Sequence, residues 1–186
     1  MTQACMTGAR FAPLAVLILA FSGCPLTSDT PLSDPASARP DSRLLGTWRT
    51  QDKDSGEWHT LTILSFNEHE MLGIVPDETS GKLDAFRLFP TAIGAESFLS
   101  FRQLGEEAAG GAAEPWYFAR YRIAEDRLRL SIVDDGLFEH KQFGSPGELQ
   151  EFIRQHLTDP LLYSADADQQ ADLVWERTPA RTGTLK

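Results

Sequence analysis

Cysteine is nearly absent from this chain of 186 residues, which has only two, Cys5 and Cys24, both close to the N-terminus. Residues 44–178 contain none, so a domain formed from them cannot be stabilised by a disulfide. The chain is 41% apolar. A domain of about 135 residues with such a composition buries roughly two-thirds of its unfolded surface, so it needs neither a disulfide nor a metal ion to fold.

Basic residues are also scarce: 17 Lys and Arg stand against 27 Asp and Glu, which gives a formal net charge of −10. A surface of this sign repels a phosphate backbone, so we expect no nucleic acid partner. It repels anionic lipid headgroups as well. Attachment to a membrane would therefore need a covalent anchor instead of a basic face.

The apolar run near the N-terminus is too short to cross a membrane. It covers residues 11–21 and follows Arg10, whereas a transmembrane helix needs about 20 apolar residues. A short apolar run after a basic residue is typical of an export signal peptide, which we assign to residues 1–23.

The end of this leader, Phe21-Ser22-Gly23-Cys24, resembles the lipobox of bacterial lipoproteins, in which an aliphatic residue and two small residues precede a lipidated cysteine. The resemblance implies that the leader is removed and that Cys24 becomes the first residue, carrying palmitate, with the lipid bilayer as its partner. Pro25 follows the cysteine in place of Asp. This is similar to the pattern of outer-membrane lipoproteins. The resemblance implies a cell-envelope protein that is anchored in the outer membrane and faces the periplasm, rather than one anchored in the inner membrane.

A proline-rich segment follows the cysteine. Residues 25–42 contain four prolines and almost no large apolar side chains, a composition typical of chain that does not form a core. Proline-rich chain extends by about 3.1 Å per residue. We therefore interpret residues 24–43 as a tether between the bilayer and the folded domain.

Residues 44–178 contain eight short β-prone runs separated by turn signals. The clearest is residues 127–132, where apolar and polar residues alternate with the period of a strand that has one wet face. The last residues, 179–186, are expected to be disordered. The predicted strands are Leu45–Thr50, Trp58–Phe66, Glu70–Val75, Leu83–Pro90, Phe98–Leu104, Trp116–Ile123, Leu128–Val133 and Asp172–Arg177.

One helix, at about residues 145–158, is predicted before the last strand. It begins at Ser145-Pro146-Gly147-Glu148, where the serine can cap the helix and the glutamate can complete a capping box. Its apolar residues recur at helical spacing, so the helix should dock on the sheet, and Pro160 follows its end.

Two residue sets resemble the calycin superfamily of small antiparallel barrels, which includes the lipocalins. Gly46-Thr47-Trp48 is similar to the Gly-x-Trp of the first calycin strand, and Arg177 is similar to the basic residue of the last strand. The resemblance implies a mainly β fold, an eight-stranded antiparallel barrel in which Trp48 closes one end and Arg177 packs over it. A β-sandwich or a half-open barrel is the alternative that the strand pattern leaves open.

Candidate catalytic and metal-binding groups are few, and we predict neither an enzyme nor a metal or cofactor site. In Glu68-His69-Glu70, neighbouring side chains of a strand point to opposite faces and cannot converge on one ion. Asp166, Asp168 and Asp172 lack the glycine and the closing glutamate of a calcium loop. The chain has no Gly-x-Ser-x-Gly elbow, and Gly105–Pro115 is interpreted as a long hairpin connection rather than a phosphate loop.

The sequence supports two hypotheses about the function of the barrel. In the first, the barrel binds a small apolar or amphipathic molecule or a lipid at its open end. In the second, a packed barrel binds another envelope protein through the outside of its fifth and sixth predicted strands, Phe98–Leu104 and Trp116–Ile123. A continuous internal cavity of at least about 300 Å³ favours the first, and a filled core favours the second. The candidate ligand-binding residues are aromatic residues on predicted strands, namely Phe86, Phe98, Phe101, Trp116 and Phe118.

Overall fold

The fold is seen in a computed structural model that describes residues 24–52, 55–76, 81–105, 114–138, 141, 143–163 and 172–179. The expected leader over residues 1–23 and the expected tail after Pro179 lie outside the described residues.

The described residues form nine strands in one antiparallel sheet. Eight of them, β2 to β9, form a closed barrel, because each pairs with the next along the chain and β9 returns to pair with β2. The short strand β1 lies outside the barrel and pairs with β7. The predicted eight-stranded antiparallel barrel is thereby confirmed. The strands are β1 Thr27–Ser28, β2 Gly46–Gln51, β3 Trp58–Ser65, β4 Met71–Pro76, β5 Leu83–Ile93, β6 Glu96–Leu104, β7 Trp116–Ala124, β8 Arg127–Ile132 and β9 Leu173–Arg177.

The barrel interior holds what we call the inner core. Because side chains alternate along a strand, each strand contributes every second residue to it. Packing is tight at Gly73, where a Cβ atom would lie 2.7 Å from Cδ2 of Leu88. The inner core consists of Leu44, Trp48, Leu61, Ile63, Met71, Val75, Phe86, Leu88, Leu99, Phe101, Tyr117, Ala119, Tyr121, Leu128, Leu130, Ile132 and Trp175.

A second cluster, the outer core, covers the outside of β5, β6 and β7. One of its contributors is the helix α1, Pro146–Gln155, which confirms the predicted helix before the last strand. The backbone N–H of Glu148 donates to Oγ of Ser145 at 3.3 Å, so the serine caps the helix as expected. None of the described helices is both long and apolar enough to span a bilayer. The outer core consists of Leu26, Leu32, Ala38, Phe89, Ile93, Phe98, Trp116, Phe118, Val133, Phe138, Leu149, Ile153, Leu162 and Tyr163.

Residues 24–43 pack against the barrel, so the prediction that they form an extended tether is wrong. We call them the wrapping segment. Leu32 is 0% exposed, its N–H donates to Oγ of Ser100 at 3.2 Å, and its carbonyl accepts from the side chain of Gln150 on α1. Leu26, Leu32 and Ala38 recur every six residues, and all three belong to the outer core. Between the last two, Pro35 begins a short 3-10 helix, Pro35–Ser37, which the side chain of Asp34 caps.

Candidate functional site

One end of the barrel is closed around Trp48, and we call it the Trp48 end. The side chain of Trp48 is 0% exposed, and its indole N–H donates to the carbonyl of Leu44 at 2.8 Å. The guanidinium carbon of Arg177 lies 4.0 Å from the centroid of the indole ring, and the two residues are paired across β2 and β9. This is the arrangement that the resemblance implied.

Arg177 also holds the chain that crosses this end. Its guanidinium donates to the carbonyls of Leu45 at 2.7 Å and Arg43 at 2.6 Å. Gly46 has φ +127°, and a Cβ atom there would lie 2.8 Å from Nη1 of Arg177. The glycine therefore supplies both the backbone conformation and the space that the guanidinium requires.

The five aromatic residues predicted to bind a ligand do not form one site. Phe86 and Phe101 belong to the inner core, with ring centroids 6.5 Å apart. The other three belong to the outer core, where α1 and the wrapping segment cover them. The reason is parity: residues an odd number of positions apart on one strand face opposite sides of the wall. The three residues of the outer core are Phe98, Trp116 and Phe118.

Covering these three residues also removes much of the surface that we predicted for an envelope protein. Phe98 and Phe118 are both 0% exposed. The chain itself thus occupies the outer faces of β6 and β7 around these residues, whereas Leu104 at the end of β6 is 42% exposed.

Polar side chains face the interior near the end opposite to Trp48, which we call the distal end. Asp84 precedes Phe86 by two residues on β5 and is buried, and Gln103 follows Phe101 by two residues on β6. The side-chain amide of Gln103 donates to Oδ1 of Asp84 at 3.3 Å. Their parity with Phe86 and Phe101 was the signal that could have identified them from the sequence.

Two further polar groups lie in the inner core. Tyr117 stacks on Phe101 with ring centroids 5.7 Å apart, and burial, with a smaller contribution from the charge of Glu114, raises the pKa of its phenol. Trp175 is 1% exposed. Its indole N–H is the one buried side-chain polar atom in the described part of the chain that has no hydrogen-bond partner.

A group of exposed apolar side chains marks the outside of the distal end. They lie on four consecutive strands, β3 to β6, and the exposed fractions are 45% for Trp58, 68% for Leu83 and 42% for Leu104. Pro76, paired with Leu83, is also exposed. We call these four residues the rim patch.

The wrapping segment forms a polar cleft at the Trp48 end, with a volume of about 350 Å³. Tyr121 donates to Oδ2 of Asp41 at 3.1 Å across it. Burial, followed by the charge of Asp41, raises the pKa of Tyr121 to about 12, while hydrogen bonds from Arg43 hold the pKa of Asp41 below its usual value. The cleft is lined by Ser33, Ser37, Ala38, Arg39, Asp41, Pro90, Thr91, Ala92, Ser97 and Tyr121.

In the Glu68-His69-Glu70 segment, the side chains of His69 and Glu70 make contacts within the fold. Glu70 is buried and pairs with Arg87, and Nδ1 of His69 lies 3.1 Å from the carbonyl of Ala38 in the wrapping segment. No group of three His, Cys, Asp or Glu that could hold a metal ion occurs among the described residues. Asp166 and Asp168 lie outside those residues.

Cys24 lies at the distal end, beside the end of β8. Its carbonyl accepts from the N–H of Asp135 at 2.9 Å, and the N–H of Leu26 donates to the carbonyl of Val133 at 2.8 Å. Between them, Pro25 forms a bridge with Asp134. The backbone around the predicted lipidation site is thus held directly against the barrel.

Comparison with known proteins adds no relative: no protein-family model, no curated protein and no solved structure matches the chain.

Proposed function

We propose that this protein is a calycin-like lipoprotein of the cell envelope, anchored through a lipid on Cys24, whose barrel binds a small amphipathic molecule from its distal end. The observation that carries the proposal is the unpartnered N–H of Trp175 in the inner core. Leaving a buried donor without an acceptor costs about 1–3 kcal/mol. A ligand with a carbonyl, ether or hydroxyl oxygen would remove this cost.

The residues near the distal end support a ligand that is part apolar and part polar. Phe86, Phe101 and Tyr117 provide aromatic walls, and Asp84 with Gln103 provides polar groups on the same inward faces. Small-molecule sites generally combine apolar walls with a few placed polar groups. Because the packing around Gly73 is tight, the bound molecule must be small, or side chains near the distal end must move to admit it.

The binding proposal can be tested by native mass spectrometry of the chain beginning at residue 24, with Cys24→Ser to prevent dimerisation through the free thiol. We expect a co-purifying ligand mass that is lost or strongly reduced in Trp175→Phe, which removes the N–H but keeps an aromatic ring. Trp116→Phe, in the outer core, is the matched control and should retain the ligand. Equal occupancy in both variants would show that the Trp175 N–H is not part of the site.

The anchor is tested separately in cells with labelled palmitate. Because the leader and the lipobox-like residues carry this part of the proposal, Cys24→Ser should abolish labelling and release the protein from the membrane fraction. A labelled, membrane-bound variant would contradict it.

A second candidate function, a packed scaffold that binds an envelope protein, is favoured by the tight contact between Gly73 and Leu88. Its surface would have to differ from the covered faces of β6 and β7. Leu64 and Phe66, exposed near the Trp48 end, are available for it. Absence of any ligand mass, together with a crosslinked partner lost in Phe66→Ser, would favour this function over ligand binding.

A further inference from the structure

We propose that the distal end of the barrel rests directly on the bilayer surface, with the rim patch in contact with lipid. This inference rests on the proposed lipid anchor at Cys24. It deepens the binding proposal, since a barrel held in this way takes its ligand from among membrane amphiphiles.

The first argument is the absence of a spacer. The wrapping segment is packed on the barrel from Leu26 onward, and the carbonyl of Cys24 itself is hydrogen-bonded to the N–H of Asp135. A diacylglyceryl group on the sulfur of Cys24 would therefore start at the protein surface. Its acyl chains could enter a bilayer only if the distal end of the barrel lay close to the headgroups.

The second argument is the rim patch, which lies at the same end as Cys24. Single exposed apolar residues are common on protein surfaces, but Trp58, Pro76, Leu83 and Leu104 occupy four adjacent strands. Leu161, which is 38% exposed, adds an apolar residue next to the anchor, because the carbonyl of its neighbour Leu162 accepts from the N–H of Asp134. Tryptophan is enriched where proteins meet the headgroup layer.

The third argument is charge, which decides the kind of lipid surface that this end can meet. The two acyl chains of a diacylglyceryl group are sufficient for attachment, so the rim patch is needed for orientation and not for anchoring. The net charge of −10 repels anionic headgroups. Arg49 and Arg102 lie near the rim, over the rings of Trp58 and Trp116, but Glu57 is exposed at the same end. The lipid surface that fits is therefore zwitterionic, with the rim patch as its apolar contact.

The test uses the chain beginning at Cys24, whose single thiol allows chemical attachment. Coupling it to a maleimide-bearing lipid in phosphatidylcholine vesicles replaces the cellular anchor, so the result does not depend on whether the cell lipidates this residue. The readout is quenching of tryptophan fluorescence by phosphatidylcholine brominated in its acyl chains. Trp58 is the exposed tryptophan; Trp48, Trp116 and Trp175 are buried.

We expect brominated lipid to quench part of the fluorescence of the coupled protein. The quenching should fall to background in Trp58→Phe and decrease in the double variant Leu83→Ser, Leu104→Ser. The matched control is Leu64→Ser with Phe66→Ser, which removes two exposed apolar residues near the Trp48 end and should leave the quenching unchanged. Circular dichroism of each variant checks that the barrel is folded.

Coupled protein whose fluorescence is not quenched would overturn the proposed orientation while leaving the anchor itself intact. A solution dimer that dissociates in Leu83→Ser would also overturn it, because the rim patch would then cover a second copy instead of lipid. Failure of palmitate labelling in cells would remove the anchor, and it is observed independently of the vesicle experiment.

Discussion

The contact between Trp48 and Arg177 makes the most direct prediction about stability: the two side chains should be energetically coupled. Trp48→Ala removes a fully buried indole from the Trp48 end of the inner core. Truncation of buried aromatic residues to alanine lowers the free energy of unfolding by about 3–5 kcal/mol. We expect a value in this range, because the hydrogen bond to Leu44 is lost together with the packing.

Arg177→Ala should cost more than a cation–π contact alone. A guanidinium over an indole contributes about 0.5–2 kcal/mol, and Arg177 also donates to the carbonyls of Leu45 and Arg43. Its side chain is 28% exposed, so water replaces part of these hydrogen bonds after truncation. We expect a loss of about 2–4 kcal/mol, since hydrogen bonds to charged groups contribute about 1.5–3 kcal/mol each before this replacement. The ion pair with the exposed Asp126 should add little.

The double variant decides whether the two side chains act together. Once the indole is absent, the guanidinium has no ring to cover, so the double variant should lose about 0.5–3 kcal/mol less than the sum of the single variants. Denaturant unfolding of the four proteins, compared at equal m values, measures this difference. Arg154→Ala on α1, where the side chain is 58% exposed, serves as a control and should change stability little. Strict additivity of the two losses would refute the proposed coupling.

Three further predictions concern the wrapping segment, the interior and the Trp48-end cleft. Leu32→Ala should lower the free energy of unfolding by about 2–5 kcal/mol in denaturant titration, whereas a free tether would tolerate it. Gly73→Ala should lower it by about 1–3 kcal/mol through overpacking against Leu88, and an unchanged value would indicate free space in the barrel. The pKa of Tyr121, about 12 against an ordinary 10.0, is raised in the folded state. Its contribution to stability is therefore present below pH 10 and is lost between pH 10 and 12, a loss that unfolding at a series of pH values should show and that Tyr121→Phe should remove.

The strand pattern predicted the strands well, for identifiable physical reasons, whereas the closed barrel was predicted from the resemblance carried by Gly46, Trp48 and Arg177. In a strand with one solvent-exposed face, such as β8, apolar and polar residues alternate with a period of two. Leu128, Leu130 and Ile132 all face the interior, as that period requires. Ser145 predicted the start of α1 because capping depends on local chemistry. The carboxylate of Glu148, predicted to complete a capping box, accepts instead from the N–H of Gly144, one residue before the cap. These features depend on short stretches of chain, which is why they can be identified without knowing the tertiary structure.

Strands that are apolar on both faces could not be assigned in the same way. On β6, Phe98 faces the outer core and Phe101 the inner core, and residue type does not distinguish the two faces. The unpartnered N–H of Trp175 is likewise a property of the assembled interior. The wrapping segment was misjudged because three apolar side chains among prolines, such as Leu32, are too few to form a core of their own, although they complete one that the barrel provides.

The outer core also determines how the proposed anchor is placed relative to the barrel. Strands β5 to β7 expose an apolar outer face that must be covered, and α1 and the wrapping segment cover it together. Since β1 pairs with the start of β7 and Leu26 is hydrogen-bonded to Val133, covering this face brings Cys24 to the distal end. The position of Cys24, and with it the orientation proposed for the rim patch, thus follows from burial of the strands that are apolar on both faces.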